Sequence, residues 1–206
     1  MMTKAPPRRG WNHNLHYHRL VLRAVPAGCD RVLDVGCGDG EFTRKLTRKS
    51  REVFGIDADG ATIRRAREEG GLPANLSLIE DDALTYPIAS ESLDCITAIA
   101  TLHHMDLTGA LARFRELLRP GGVLAILGLY RPSTLQEYLM FMAALPISKA
   151  VRSVRQEKLV LAPMKDPELT LTEIRSTVSA ELPGCLLRRL FFFRYFLKWK
   201  KPMARG

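Results

Sequence analysis

The chain has 206 residues, 46% of them hydrophobic and 26% charged, which fits one globular domain with a single sizeable core. Its four cysteines, Cys29, Cys37, Cys95 and Cys185, form no Cys-x-x-Cys pair and no spacing suited to zinc or a disulfide framework, so a reducing cytoplasm is the expected home. The net charge of +9 points to nucleic acid or an anionic surface, but the seven basic residues after Glu181 have no acidic neighbour there, so the basicity belongs to the C-terminal region.

Residues 1–10 read as a flexible arm. They lack the apolar central stretch of a signal peptide, and the longest lipid-like run, 138–147, is about half a membrane span, so no transmembrane segment is expected. Residues 11–25 have helical periodicity, with Leu15, Leu22 and Val25 near one face, and Pro26-Ala27-Gly28 ends them. A first strand is predicted over 31–35, inside the run 32–40 that reads Val-Leu-Asp-Val-Gly-Cys-Gly-Asp-Gly. In that run Gly36 and Gly38 can take positive φ and admit a ligand close to the main chain. A helix over 41–49 would start with unpaired N–H groups facing the same ligand.

A second strand over 52–56 ends at Asp57 and a helix follows over 61–69, stopped by Gly70-Gly71. A third strand over 76–79 ends at Glu80-Asp81-Asp82, and the fourth, 93–100, is nearly all apolar, as a parallel strand covered on both faces should be. Leu107, Leu111, Phe114 and Leu118 then mark an amphipathic helix that Asp106 is placed to cap. Arg119-Pro120-Gly121-Gly122 breaks it before a fifth strand over 123–129.

Residues 131–181 are helix-prone without a strand signal, and an insertion of this kind commonly shapes a substrate pocket. Its Leu139-Met140-Phe141-Met142 run reads as core packing, with a pocket wall or a dimer face as the alternatives. Phe191, Phe193, Tyr195, Leu197 and Trp199 share one parity and Arg194, Lys198 and Lys200 the other, which is strand alternation. The rival reading is an aromatic and basic membrane patch. Residues 186–190 can pair with that strand as a hairpin at the sheet edge. The alternation of strands and helices predicts an α/β fold: a Rossmann-like open sheet, mostly parallel, with helices on both faces. One domain over 11–201 and a tail over 202–206 account for the rest of the chain.

In such sheets ligands sit beyond the carboxyl ends of the strands, where the strand order reverses. Three carboxylates belong to those ends: Asp34 before the glycine turn, Asp57 after strand two and Asp82 after strand three. An acidic side chain ending strand two can accept both ribose hydroxyls, which by itself also fits NAD. The dinucleotide spacing Gly-x-Gly-x-x-Gly is absent, however, because the third glycine comes early, at Gly40.

The run 32–40, Gly55-Ile56-Asp57-Ala58-Asp59, Asp81-Asp82-Ala83, Leu93-Asp94-Cys95-Ile96, Leu102-His103-His104 and Leu117-Leu118-Arg119-Pro120-Gly121-Gly122 resemble, in order and spacing, the class I S-adenosylmethionine-dependent methyltransferases. The resemblance covers about 30–130 and implies seven strands, the last of them antiparallel. It implies that Gly36, Cys37 and Gly38 contact the methionine and ribose portion of S-adenosylmethionine, with Asp34 positioning its amino group. Asp57 would hold the ribose hydroxyls, Ala58 lie against adenine, Asp82 accept from the adenine amine and Ala83 add a backbone contact. Ala100 and Thr101 would lie beside the methionine part. Residues 11–25 resemble the lid helix of a bacterial subgroup, which makes His16 and Tyr17 candidates for substrate contact.

Methyl transfer is an in-line displacement from a sulfonium, so aligning the nucleophile and excluding water matter more than a dedicated catalytic group. Where a base is needed, His103 and His104 follow strand four, and His103 is also a substrate-contact candidate. His13, His16 and His18 do not share one helical face, and no metal is expected. After strand four the chain reads Ile99-Ala100-Thr101-Leu102-His103 rather than Asn/Asp-Pro-Pro-aromatic, and it contains no Pro-Cys dipeptide, so a small-molecule acceptor methylated on oxygen or nitrogen leads. RNA methylation guided by the basic C-terminal region is the enzymatic alternative, and a noncatalytic S-adenosylmethionine-binding or scaffold protein is the alternative of another class. Monomer and homodimer both stay open.

Overall fold

The structure is a computed structural model in which residues 13–68, 71–139, 142 and 166–203 are described. The expectations for the 1–10 arm, for Trp11 and Asn12, for Gly70 as a helix stop, for Met140 and Phe141, and for 143–165 of the insertion lie outside these residues. Seven strands form one sheet: β1 (Cys29–Val35), β2 (Ser50–Asp57), β3 (Leu76–Glu80), β4 (Leu93–Ile99), β5 (Leu118–Leu129), β6 (Leu186–Leu190) and β7 (Arg194–Lys200). Their spatial order is β3-β2-β1-β4-β5-β7-β6. The pairs β1 with β2, β2 with β3, β1 with β4 and β4 with β5 are parallel, while β7 runs antiparallel to both β5 and β6. The chain therefore works outward from β1 to β3 and returns to β4 on the other side of β1. That reversal opens a crevice at the carboxyl ends of β1 and β4.

Helices cover both faces: α1 (His13–Ala24), α2 (Glu41–Leu46), α3 (Gly60–Glu68), α4 (Leu107–Leu117) and α5 (Leu171–Glu181). None of the helices among the described residues is long and apolar enough to cross a membrane. Six of the seven residues of β4 are buried, because helices lie on both of its faces. One apolar cluster joins β4 and β5 to α4 and α5 through Leu111, Phe114, Ile174 and Val178; the other joins the opposite face to α1 to α3 through Val21, Phe42, Leu46 and Ile63. Asp106 accepts the Gly109 N–H at 2.7 Å and so caps α4 as expected, and Thr170 with Glu173 forms a capping box on α5.

Several expectations change in detail. Val25 is buried as expected and the Leu15 side chain lies outside the described residues, but the buried seam of α1 itself runs through Tyr17, Val21 and Ala24, with Leu22 only partly covered, because α1 packs across β5 and α2. The stretch 118–122 does not separate helix from strand: β5 begins at Leu118, paired with Leu93, and a register shift absorbs the two glycines. Lys201 makes this possible, since its backbone pairs with Gly121 and Gly122 and its ammonium donates to the Arg115 and Leu118 carbonyls. The C-terminal hairpin does extend the sheet, but β7 lies inside it and β6 is the edge. Phe191 and Phe193 belong to the hairpin turn rather than to a strand, with Phe192 and Phe193 at φ 60° and 55°. The core reading of Leu139 and Met142 also fails, because both side chains are more than half exposed.

Candidate functional site

The glycine turn leaves β1 at Val35 and reaches α2 through Gly36, Gly38 and Gly40, all with positive φ. Gly36 is needed for close approach, because a β-carbon there would sit 2.0 Å from Thr101 Oγ1. Gly38 is different: a β-carbon there would meet nothing within 4 Å, so its α-carbon faces open space. The turn is held from below by Ile56, whose carbonyl accepts the Gly36 and Cys37 N–H groups at 2.8 and 3.1 Å. Cys37 itself is buried, and burial raises its thiol pKa, so it presents backbone rather than a reactive sulfur.

Asp57 closes the turn from the side. Its Oδ2 accepts the Gly38 N–H at 2.8 Å and its Oδ1 accepts the Asp59 N–H at 2.9 Å. The side chain is half-buried, and each carboxylate oxygen, accepting one bond here, has capacity for another. Ala58 follows, exposed, and the Asp57 carbonyl accepts the Asp81 N–H at 3.2 Å, tying the end of β3 to the end of β2. Asp82 is exposed with its Oδ1 on the Leu84 N–H, and Ala83 is buried beneath it.

Asp34 sits deeper than its neighbours, at 2% exposure. Thr43 Oγ1 on α2 and Thr97 Oγ1 on β4 each donate to one of its oxygens at 2.7 Å. Burial pushes its carboxyl pKa up to about 6 despite these two donors. Asp34 thus braces α2 and β4 against the root of the turn. Sequence reasoning misses both threonines, although Thr97, a hydroxyl inside an otherwise apolar strand, is a readable signal.

At the end of β4, Ala100 takes φ 54° and donates its N–H to the Leu127 carbonyl at 2.7 Å. A left-handed non-glycine residue stores strain of about 1–3 kcal/mol, and such positions cluster at functional sites. It turns the chain so that Thr101 falls on Gly36 and a 3₁₀ turn, Leu102–His104, follows. His103 is half-buried and His104 exposed, their rings 4.1 Å apart.

The opposite rim is aromatic. The Tyr130 N–H donates to the Phe193 carbonyl at 3.0 Å, and the Phe193 ring meets Tyr130 and Tyr138 edge-on at 6.2 and 6.0 Å. Tyr17 is buried against this hairpin, where the Phe191 backbone and the Arg194 guanidinium act on its phenol and burial raises its pKa. Burial lowers the Arg194 pKa to about 10, and Arg194 Nη1 donates to the Phe192 carbonyl at 2.9 Å. His16 is exposed and packs edge-on against Tyr17, whereas His18 is buried between Phe42 and Lys45 Nζ, which lies 2.9 Å from its Nδ1. Among the described residues no group of three His, Cys, Asp or Glu side chains is placed to hold a metal.

Thus the ends of β1, β2, β3 and β4 carry a linked polar crevice, and an aromatic rim of Tyr17, Tyr130 and Phe193 gathers where α1, the end of β5 and the β6–β7 hairpin meet. A methyltransferase-domain family model matches residues 32–122. An uncharacterized methyltransferase from Mycobacterium tuberculosis is 35% identical over 195 residues, covering 94% of this chain and 98% of its own length. One from Geobacillus kaustophilus is 29% identical over 109 residues, covering 52% of this chain and 50% of its own. The crystal structure of the N-methyltransferase NodS from Bradyrhizobium japonicum, in complex with S-adenosyl-L-homocysteine, shares the fold with a TM-score of 0.65 at 17% identity, over 97% of this chain and 94% of NodS. The protein therefore belongs to the class I S-adenosylmethionine-dependent methyltransferases.

Proposed function

We propose that the protein transfers a methyl group from S-adenosylmethionine to an oxygen or nitrogen nucleophile of a small molecule, releasing S-adenosylhomocysteine. The observation that carries this reading is the Asp57 carboxylate, which fixes Gly38 and Asp59 with one bond per oxygen and keeps a free lone pair on each for the two ribose hydroxyls. The open space over Gly38 fits the same group, since a main chain without side chains is what a nucleoside-bearing ligand needs there.

The remaining roles are those the family resemblance implies. Gly36, Cys37 and Gly38 lie along the methionine and ribose portion. Ala58 would lie against adenine, Asp82 would accept from its amine and Ala83 would add its backbone. Ala100 and Thr101 border the methionine end. Asp34, with both oxygens already engaged, acts on the amino group through the turn it braces.

When bound, the cofactor supplies an activated methyl group on a good leaving group. The protein's own residues align the acceptor and keep water out. The partly exposed Phe193 and the exposed His16 orient the acceptor, while the buried Tyr130 and Tyr17 pack behind them. His103, half-buried at the end of β4, takes the proton from an oxygen or nitrogen nucleophile, while the exposed His104 supports its ring. The Ala100-Thr101-Leu102-His103 sequence after β4 supports a small molecule over DNA or protein amines.

The test is incubation of the full chain with methyl-labelled S-adenosylmethionine and a fractionated cell extract. Label is expected in the small-molecule fraction, and label confined to RNA would overturn the acceptor class.

A further inference from the structure

The surface beside the aromatic rim carries two features that methyl transfer does not use. Residues 135–139 and 142 are helical, and Leu135, Tyr138, Leu139 and Met142 follow the i, i+3, i+4, i+7 spacing of a single helical face. They are 75, 51, 60 and 59% exposed. Tyr138 meets Phe193 at 6.0 Å, and Phe191, at the start of the same hairpin turn, is 53% exposed, so the apolar surface continues from the helix to the hairpin tip. Exposed apolar side chains gathered in this way mark an interaction surface.

The second feature is charge. Neither α1 nor 186–200 contains an Asp or Glu, and together they expose Arg19, Arg23, Arg188, Lys198 and Lys200. Tyr17 meets the Phe191 backbone, so α1 adjoins the hairpin at its tip, with Arg19 beside the contact and Arg188, Lys198 and Lys200 running back from it along β6 and β7.

The occupant must accept aliphatic side chains and offer dense negative charge beside them. RNA supplies the charge and could stack on Tyr138 and Phe191, but Leu135, Leu139 and Met142, the other members of the patch, are aliphatic and give its bases no face to stack on. A second copy would bring the same basic field against itself. An anionic bilayer supplies both an acyl boundary and a negative surface. We infer that this surface docks on anionic lipid, with Leu135, Tyr138, Leu139, Met142 and Phe191 entering the headgroup boundary and the α1 and hairpin cations lying over the headgroups.

Flotation of the full chain with phosphatidylcholine vesicles, with and without phosphatidylglycerol, tests this. The chain should float with phosphatidylglycerol vesicles and be released as salt rises. The double variant Leu135→Glu/Leu139→Glu should lose flotation while keeping its circular dichroism and S-adenosylmethionine affinity. Arg188→Glu/Lys198→Glu should lower the partition constant by about tenfold or more. Absence of flotation at low salt, binding indifferent to lipid charge, or a stripe variant that floats like the parent would overturn the proposal. So would a dimer in sedimentation that the stripe variant splits, or RNA retention without flotation.

Discussion

Asp57 accepts the Gly38 backbone N–H at 2.8 Å across 19 residues of sequence, so the carboxylate at the end of β2 also fixes the turn at the end of β1. Removing it exposes two donors, the Gly38 and Asp59 N–H groups, to water in a half-buried crevice. Asp57→Ala should therefore lower unfolding free energy by about 1–3 kcal/mol in urea titration, and Asp57→Asn, which keeps one acceptor, by about half as much.

The glycines of the turn should separate stability from binding. Gly36→Ala places a β-carbon 2.0 Å from Thr101 Oγ1 at φ 66°, so it should destabilise by about 2–4 kcal/mol and move Thr101. Gly38→Ala meets no atom within 4 Å and should cost only about 1–2 kcal/mol from its positive φ. Its effect should appear instead as weaker S-adenosylmethionine binding, because the added carbon occupies the space left for the ligand. Thermal melts with and without cofactor distinguish the two variants.

Asp34 makes stability pH-dependent with a defined sign. Its carboxyl pKa is about 6 in the fold against an ordinary 3.8, so between those values the folded chain binds more protons than the unfolded one. Asp34's contribution is full below about pH 4 and falls as pH rises through about 6. The amide introduced by Asp34→Asn cannot titrate, so the unfolding free energy of that variant minus that of the parent should grow by roughly 3 kcal/mol across this window and stay flat above it. A difference independent of pH would contradict the buried placement.

The two histidines at the end of β4 differ in burial, and that difference predicts their kinetics. His103→Ala should lower the single-turnover rate by about 10²–10⁴ with S-adenosylmethionine affinity unchanged, and His104→Ala by much less. Equal losses in both variants would assign the pair a shared packing role.

The strands and their acidic ends were legible because parallel strands buried on both faces read as apolar runs, and the turn after β1 needs glycine whatever surrounds it. Asp57 and Asp82 stand out for the same reason: a carboxylate at the end of such a run has no packing role to hide in. Depth was not legible. Nothing in the local sequence distinguishes Asp34, sealed by Thr43 and Thr97, from the half-exposed Asp57, because the two threonines come from α2 and β4. The start of β5 was misplaced because Lys201, far along the chain, supplies the bonds that let 118–122 extend as strand. Leu139 and Met142 read as core because they belong to a contiguous apolar run, and apolarity says nothing of what covers it.

The most direct test of the cofactor site is calorimetric titration of S-adenosylmethionine into Asp57→Asn. This variant retains an acceptor for Gly38 and so keeps the turn, while losing the charge that would hold the ribose hydroxyls. Each charge-assisted bond carries about 1.5–3 kcal/mol, so affinity should fall by about tenfold to a hundredfold in a folded protein. Affinity equal to that of the parent chain would contradict the assignment.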